Sequence, residues 1–448
     1  MTLPSSVTGG LRRARLPAWL LDALHPAWPR EGLAPALADI DWQHGRITRV
    51  APHLPPHTPS PRPSVSSTDA VVDVAGAPVL PGLVDAHLHL DKTFTLSRLG
   101  AIRPGLLGAI EAMMADRRTW TATDVRQRAS RALQLAHQAG VVHVRTHCDW
   151  WEPDVVPVAW PVLRELAHDW ADRLVLQQAC LVPLHLYADR DAAMRMAATV
   201  AACGEGALMG GFVHTSNWNP QALRHLFEGA QAHGLSVDLH VDEELNPAAQ
   251  GLATIARLLG ELRFEGHVTC GHVCALSAQD EHQAMATLDA VARTPITLVT
   301  LPITNLLLQD AQTRRTPRLR GITLVKEARE RGIPLLVASD NVQDPFCAVG
   351  SYDPLEALGT ATTVAQLPQV FDAWSDAICR TDWLVPAGRA LPLGSGTAAD
   401  LVVFDAADIW SFPSRTQPRT VLRAGQILPP ARPPSPSAHS DAPTGVTA

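Results

Sequence analysis

PGLVDAHLHLDKTF, residues 81–94, joins an apolar, β-branched run to two histidines two positions apart, His87 and His89. Side chains at i and i+2 of a strand project to the same face. The stretch reads as a buried strand whose C-terminal end presents two imidazoles side by side. That pair is a natural chelate for a metal ion.

Working outward, seven further runs of the same kind follow: VVHVRTHCD (141–149), LVLQQACLV (174–182), ALMGGFVHT (207–215), SVDLHVDE (236–243), HVTCGHVCA (267–275), ITLVTLP (296–302) and PLLVASD (334–340). Helix-like segments separate most of them, among them 124–140 and 221–234. Strands alternating with helices pair in parallel. Eight such units within 81–385 predict an α/β fold, a (β/α)8 TIM barrel. A doubly wound open sheet is the alternative, but no glycine-rich phosphate loop follows the first strand.

The flanks read differently. LADIDWQHGRITRV (37–50) and AVVDVAGAPVL (70–80) alternate like strands, as do ADLVVFDAADIW (399–410) and RTVLRAGQIL (419–428). They predict a small β-sandwich domain built from residues 1–80 and 386–428 around a barrel at 81–385. The proline-rich run 52–68 reads as a loop, and 429–448 as a disordered tail.

In a barrel the C-terminal strand ends converge on the active site. Here they carry His87 and His89, His147, His214, His240, His272 and Asp340. One such histidine alone could be a satisfied, half-buried ring. Six of eight strand ends bearing such groups is not what a plain core carries. A nitrogen-rich set with one carboxylate suits Zn2+ or Fe2+ and disfavours Mg2+ or Ca2+. A cation there lowers the pKa of its water towards neutrality and supplies hydroxide. Glu243, three residues past His240, is the candidate general acid/base, with a solvated loop carboxylate as the alternative. Asp242 and Glu244 read as surface or supporting groups.

The quoted stretch resembles the strand-1 signature of the amidohydrolase superfamily. The ordered series GVVHVRTHCD (140–149), LHVDE (239–243), CGHVCAL (270–276), TNLLLQDAQTRRTPRLRGIT (304–323) and SDNVQDP (339–345) resembles the bacterial cytosine deaminase branch. The resemblance implies one divalent ion, Fe2+ or Zn2+, held by His87, His89, His240 and Asp340. It implies that Glu243 carries a proton from the hydrolytic water to the substrate ring, and that His272 stabilises the developing oxyanion. Gln178 would read the carbonyl and ring N–H of a pyrimidine, since an amide offers donor and acceptor together. His147 would line the substrate pocket or its surroundings. The implied reaction is hydrolytic deamination of cytosine, or a related aminopyrimidine, to uracil and ammonia. A homo-oligomer is implied as well.

Three positions depart from that pattern. Ser339-Asp340-Asn341 stands where the cytosine deaminases carry His-Asp-Asp, and Phe346 replaces a pocket tryptophan. The resemblance implies that these positions touch the substrate. Ser-Asp-Asn also resembles hydrolases that remove amines from triazines, the N-isopropylammelide amidohydrolases, but those carry aspartate where Glu243 stands. An ammelide-type triazine or isocytosine is therefore the alternative substrate. Lys92 and Lys326 are the only lysines, and strand 4 ends GGFVHTSNW without one. The carboxylated lysine of dinuclear superfamily members has no counterpart, so a mononuclear site is expected. A non-catalytic scaffold of this fold would be expected to lose ligands, and all are kept.

Composition excludes other classes. The chain of 448 residues has 44 acidic and 37 basic side chains, a net charge of −7, which rules out a broad footprint on nucleic acid. No apolar run approaches the roughly 18 residues of a membrane span. Seven cysteines scattered through apolar segments read as reduced thiols. Cys270 and Cys274 lack a second pair at zinc-finger spacing. Arg12 and Arg13 precede an apolar run cut by Pro17 and Asp22, which is no secretory signal. The expectation is a cytoplasmic enzyme acting on a small heterocycle.

Overall fold

The structure is a computed structural model that describes residues 8–429 apart from 33, 55–69, 153, 386–390, 406–407 and 415–417. Most of the proline-rich loop and all of the tail except Pro429 lie outside the described residues. Among the described residues, the N-terminal segment supplies β1 (Gly9–Ala14), a short pair β2 (Arg30–Glu31) and β3 (Ala34–Pro35), then β4 (Ala38–Gln43), β5 (Arg46–Pro52), β6 (Ala70–Asp73) and β7 (Val79–Pro81). Eight strands follow: β8 (Leu83–Leu88), β9 (Val141–Asp149), β10 (Val175–Leu181), β11 (Ala207–Val213), β12 (Val237–Val241), β13 (Val268–His272), β14 (Ile296–Thr300) and β15 (Leu335–Val337). The chain ends with β16 (Leu401–Phe404), β17 (Arg419–Arg423) and β18 (Gln426–Ile427).

β8 to β15 form one sheet in sequence order, every neighbouring pair parallel. The amide of Asp340 donates to the carbonyl of His87 at 2.9 Å and joins the last strand to the first. This is the (β/α)8 barrel. Its strands are buried on both faces, as parallel strands under helices must be.

Local chemistry makes the helices. In Ala122–Ala139, the Thr121 side chain accepts from the amide of Asp124, and Val125, Ala129, Ala132, Leu133 and Ala136 form the buried stripe. Gly140 ends that helix at φ +96°, where a Cβ would lie 2.6 Å from Val402 Cγ2. Glycine alone satisfies both the turn and the close approach.

Two further sheets, ordered β5-β4-β1-β6 and β18-β17-β16-β7, come from the ends of the chain. β7 pairs antiparallel with β16, so N- and C-terminal segments share a sheet. Leu11, Ile40 and Trp42 from one sheet and Val79, Leu401, Val403 and Leu422 from the other share one core, which makes a β-sandwich.

The barrel interior is polar at its centre. Arg145 is fully buried and donates to Asp238 at 2.7 Å, Thr269 at 2.8 Å and Gln177 at 2.8 Å. A helix that the sequence pattern did not reveal, Leu106–Asp116, follows β8. The Arg98 guanidinium ties its end down through Asp116 at 2.7 Å. No helix among the described residues is long and apolar enough to cross a membrane.

Candidate active site and metal centre

Each strand end delivers its side chain by a local device. The pairing of β8 with β9 shifts register between Asp85 and Leu88. Past this bulge Leu88 packs under the helices, while His87 and His89 converge on His240. Asp238 and His240 share one face of β12. His272 and Asp340 adopt left-handed backbone conformations, φ +69° and +62°, at or just past their strands. Such backbone is strained for residues with a Cβ and concentrates at working sites.

The result is a tight cluster. The Nε2 atoms of His87 and His240 lie 3.1 Å apart, and those of His240 and His89 3.2 Å apart. Asp340 Oδ1 is 3.1 Å from His89 Nε2 and 3.6 Å from His87 Nε2. Two groups, His87-His89-His147-His240 and His87-His240-His272-Asp340, each offer ligand atoms within 4.8 Å of one another. Burial holds His87, His89, His240 and His272 well below the ordinary histidine value, so they are neutral, the form that binds metal. Burial, then the neighbouring Asp344, pushes Asp340 up. Among the described residues neither Asp340 oxygen makes a well-aligned hydrogen bond, and the Thr304 hydroxyl is a neighbouring donor. A buried carboxylate with so little hydrogen bonding, facing converged imidazole nitrogens, fits a divalent cation.

Next to this cluster stand two groups able to move protons. Glu243 Oε1 lies 3.4 Å from His272 Nδ1. Burial first, then the Asp340 carboxylate, raises the Glu243 pKa well above its usual range. Such a shift is typical of a catalytic acid/base.

His89, His240, Glu243 and His272 face a cavity of about 470 Å³, which includes its open mouth. Its walls are mostly apolar: Leu106, Ile110 and Met113 of the Leu106–Asp116 helix, with Trp151, Leu181, Pro183, Phe212 and Phe346. Lys92, Asp149 and Asn341 are the other polar residues. Lys92 Nζ donates to Asp149 Oδ1 at 2.7 Å and lies 5.1 Å from the Phe346 ring centre.

The sequence pattern of the amidohydrolase family matches residues 164–429, more than half of the chain. The chain belongs to the amidohydrolase family. A pterin deaminase of Rhizobium rhizogenes is 36% identical over 365 residues, 80% of this chain and 82% of that protein. An N-isopropylammelide isopropyl amidohydrolase of a Pseudomonas species is 22% identical over 80% of this chain and 87% of its own. Among solved structures, the 5-methylcytosine deaminase of Klebsiella pneumoniae with 5-fluorocytosine has the same fold. Its TM-score is 0.78 at 23% identity, over 94% of this chain and 98% of that one.

In this amidohydrolase the expected residues do not all meet at the cavity. His87, His89, His240, His272, Asp340 and Glu243 converge, and Asn341 and Phe346 line the wall. Gln178 does not line it, contrary to the expectation. Leu181 faces the cavity, so the strand's alternation turns Gln178 outward, where its Nε2 lies 3.5 Å from the carbonyl of Trp160. His147 is not in the cavity wall either. It lies beneath the cluster, its ring 4.0 Å from that of His87 and its Nε2 3.1 Å from Asp238. Asp242 and Glu244 are both buried, not surface groups, and Asp242 caps the helix Gly251–Leu262 through the amides of Gly251 and Leu252.

Sequence reading passed over several residues. Lys92 and Asp149 stood inside the quoted motifs, and their pairing is set only by the barrel. Asn305 and Gln309 lie in the quoted TNLLLQ run without an assigned task. Asn305 meets His272 at 3.0 Å and Gln309 meets the carbonyl of Glu243 at 3.1 Å. Two amides four residues apart just after a barrel strand were the available signal.

Proposed function

We propose that this amidohydrolase hydrolyses the exocyclic amine from a flat, amino-substituted nitrogen heterocycle of pterin type. The observation that carries the reaction is the placement of Glu243 and His272, 3.4 Å apart, in the wall of the cavity that His89 and His240 also face. A divalent cation held by His87, His89, His240 and Asp340, Zn2+ or Fe2+ by its donor set, would supply hydroxide at neutral pH.

The chain's own groups then handle protons and position. Glu243 takes the proton of the hydrolytic water and passes it to the ring nitrogen beside the amine-bearing carbon. A second proton transfer lets the amine leave as ammonia, and a carbonyl replaces it. His272 donates to the oxygen that gains negative charge. Lys92 and Asp149 take the part expected of Gln178. One donates and the other accepts, matching the adjacent carbonyl and N–H of an oxo-pyrimidine ring. Phe346, Phe212 and Trp151 supply flat apolar contact.

Support for a pterin ring comes from the 36% identity to a protein named pterin deaminase. Its pyrimidine half carries the amine and the adjacent lactam. Cytosine is the second reading, favoured by the motif resemblance from VRTHCD to CGHVCAL. The same resemblance supports a homo-oligomer.

The test is ammonia release from pterin, cytosine, 5-methylcytosine and ammelide by zinc- or iron-loaded protein. The expected order puts pterin highest in kcat/KM. A higher value for cytosine moves the assignment to pyrimidines. No release from any of the four sinks the deaminase reading.

A further inference from the structure

His272 has two tasks open to it, and its second ring nitrogen decides between them. If Nε2 is bare, it is one more metal ligand, since His272 belongs to the group His87-His240-His272-Asp340 whose ligand atoms lie within 4.8 Å. If Nε2 carries the proton, it is a hydrogen-bond donor to an oxygen at the reacting carbon. Nε2 has no protein hydrogen-bond partner among the described residues, so the other nitrogen sets the tautomer.

That nitrogen, Nδ1, lies 3.0 Å from Nδ2 of Asn305. Asn305 is fully buried on the helix Pro302–Leu308, which follows β14 with Pro302 at its first turn. An amide N–H can only donate, and it lies nearer to Nδ1 than the Glu243 carboxylate, whose Oε1 is 3.4 Å away, so Nδ1 accepts from Asn305 and the ring proton sits on Nε2. Reversing the amide would place both N–H bonds where Oδ1 has no partner. A buried N–H without an acceptor is rarer than an under-satisfied carbonyl. The same helix end holds the other proton carrier. Gln309, whose amide donates to the Asn305 carbonyl at 2.9 Å, donates from Nε2 to the backbone carbonyl of Glu243 at 3.1 Å.

We propose that Asn305 is a positioning residue: by donating to Nδ1 it holds His272 as the Nε2–H tautomer, a donor to substrate oxygen and not a further metal ligand. Gln309 fixes the backbone of Glu243 beside it. The proposal rests on the reading of the site as a hydrolytic deaminase for the task of that donor, but not for its tautomer.

The experiment is nitrogen NMR of ¹⁵N-histidine-labelled, zinc-loaded protein, with His272→Gln identifying the signals. Wild-type His272 is expected to show an acceptor-type Nδ1 and a protonated Nε2. In Asn305→Asp a carboxylate accepts from Nδ1 and the tautomer reverses. kcat then falls about 100-fold, the scale of one lost proton-handling group, while KM and bound zinc change less than about threefold. Asn305→Gln, which keeps the donor, should retain more activity than Asn305→Asp. A wild-type spectrum with the proton on Nδ1 overturns the proposal whether or not any variant folds, as does an unchanged kcat in Asn305→Asp. A protein that deaminates nothing counts against the deaminase reading alone, because the spectrum is read without substrate.

Discussion

Asp340 meets His87 through both backbone and side chain. Its amide donates to the His87 carbonyl at 2.9 Å, and its Oδ1 lies 3.6 Å from His87 Nε2. The hydrogen bond closes the barrel and the carboxylate completes the candidate ligand set, so closure of the fold and assembly of the site are one event. Asp340→Asn keeps the backbone bond and removes the charge. Metal affinity should fall by at least about tenfold, given that even outer partners of ligands cost 10–100-fold. Thermal stability of the metal-free protein should hold, because the wild type buries a carboxylate that makes no well-aligned hydrogen bond. Competition with a chelator measures the first, and equal affinity would refute the ligand assignment.

Gly271 probes the packing of that cluster. A Cβ there would lie 2.9 Å from both Cε1 and Nδ1 of His87. The ring must shift to admit it. Gly271→Ala should fold and keep its circular dichroism, yet bind metal about 10–100-fold more weakly. Undiminished binding would mean that the His87 ring has room to move without loss.

The barrel floor rests on Arg145 and Asp238, both fully buried and 2.7 Å apart. Arg145→Met leaves the Asp238 carboxylate without its cation. The expected loss is about 3–5 kcal/mol, the usual cost of breaking one side of a buried pair. Urea unfolding measures it. A loss below about 1 kcal/mol would show that His147 alone satisfies Asp238.

Glu243 gives the pH signature. Its carboxylate must be ionised to take a proton from water. Burial raises its pKa, so kcat/KM should fall with decreasing pH along a limb above the ordinary glutamate value of about 4.3. Glu243→Gln should lower kcat about 10²–10⁴-fold. A limb at or below the ordinary value would contradict the buried, repelled carboxylate.

Gln178 separates two accounts of substrate reading. It faces the carbonyl of Trp160, away from the cavity. Gln178→Met should leave KM within about threefold, because Gln178 does not line the cavity. Lys92→Met should raise KM for a ring with an adjacent carbonyl and N–H by about tenfold or more, the cost of one charge-assisted hydrogen bond. The reverse pattern would return the task to Gln178.

Much of this was legible in the sequence because it follows from local periodicity. Eight apolar runs between helical segments determine a barrel, and His87, His89, His240, His272 and Asp340 declare themselves by standing at strand ends. Two histidines at i and i+2 face one way in any strand. What a strand faces is not local. Gln177 and Gln178 are equivalent in sequence, and only the pairing of β10 with β9 turns Gln177 towards Arg145 and Gln178 towards the helices. The partners of the proton carriers are likewise tertiary facts. Asn305 reaches His272, Gln309 reaches Glu243 and Lys92 reaches Asp149 across different βα units. Residue type and spacing set which chemistry is available along the chain. The register of a closed barrel sets which of those groups meet, because a shift of one residue exchanges the inside of every strand for its outside.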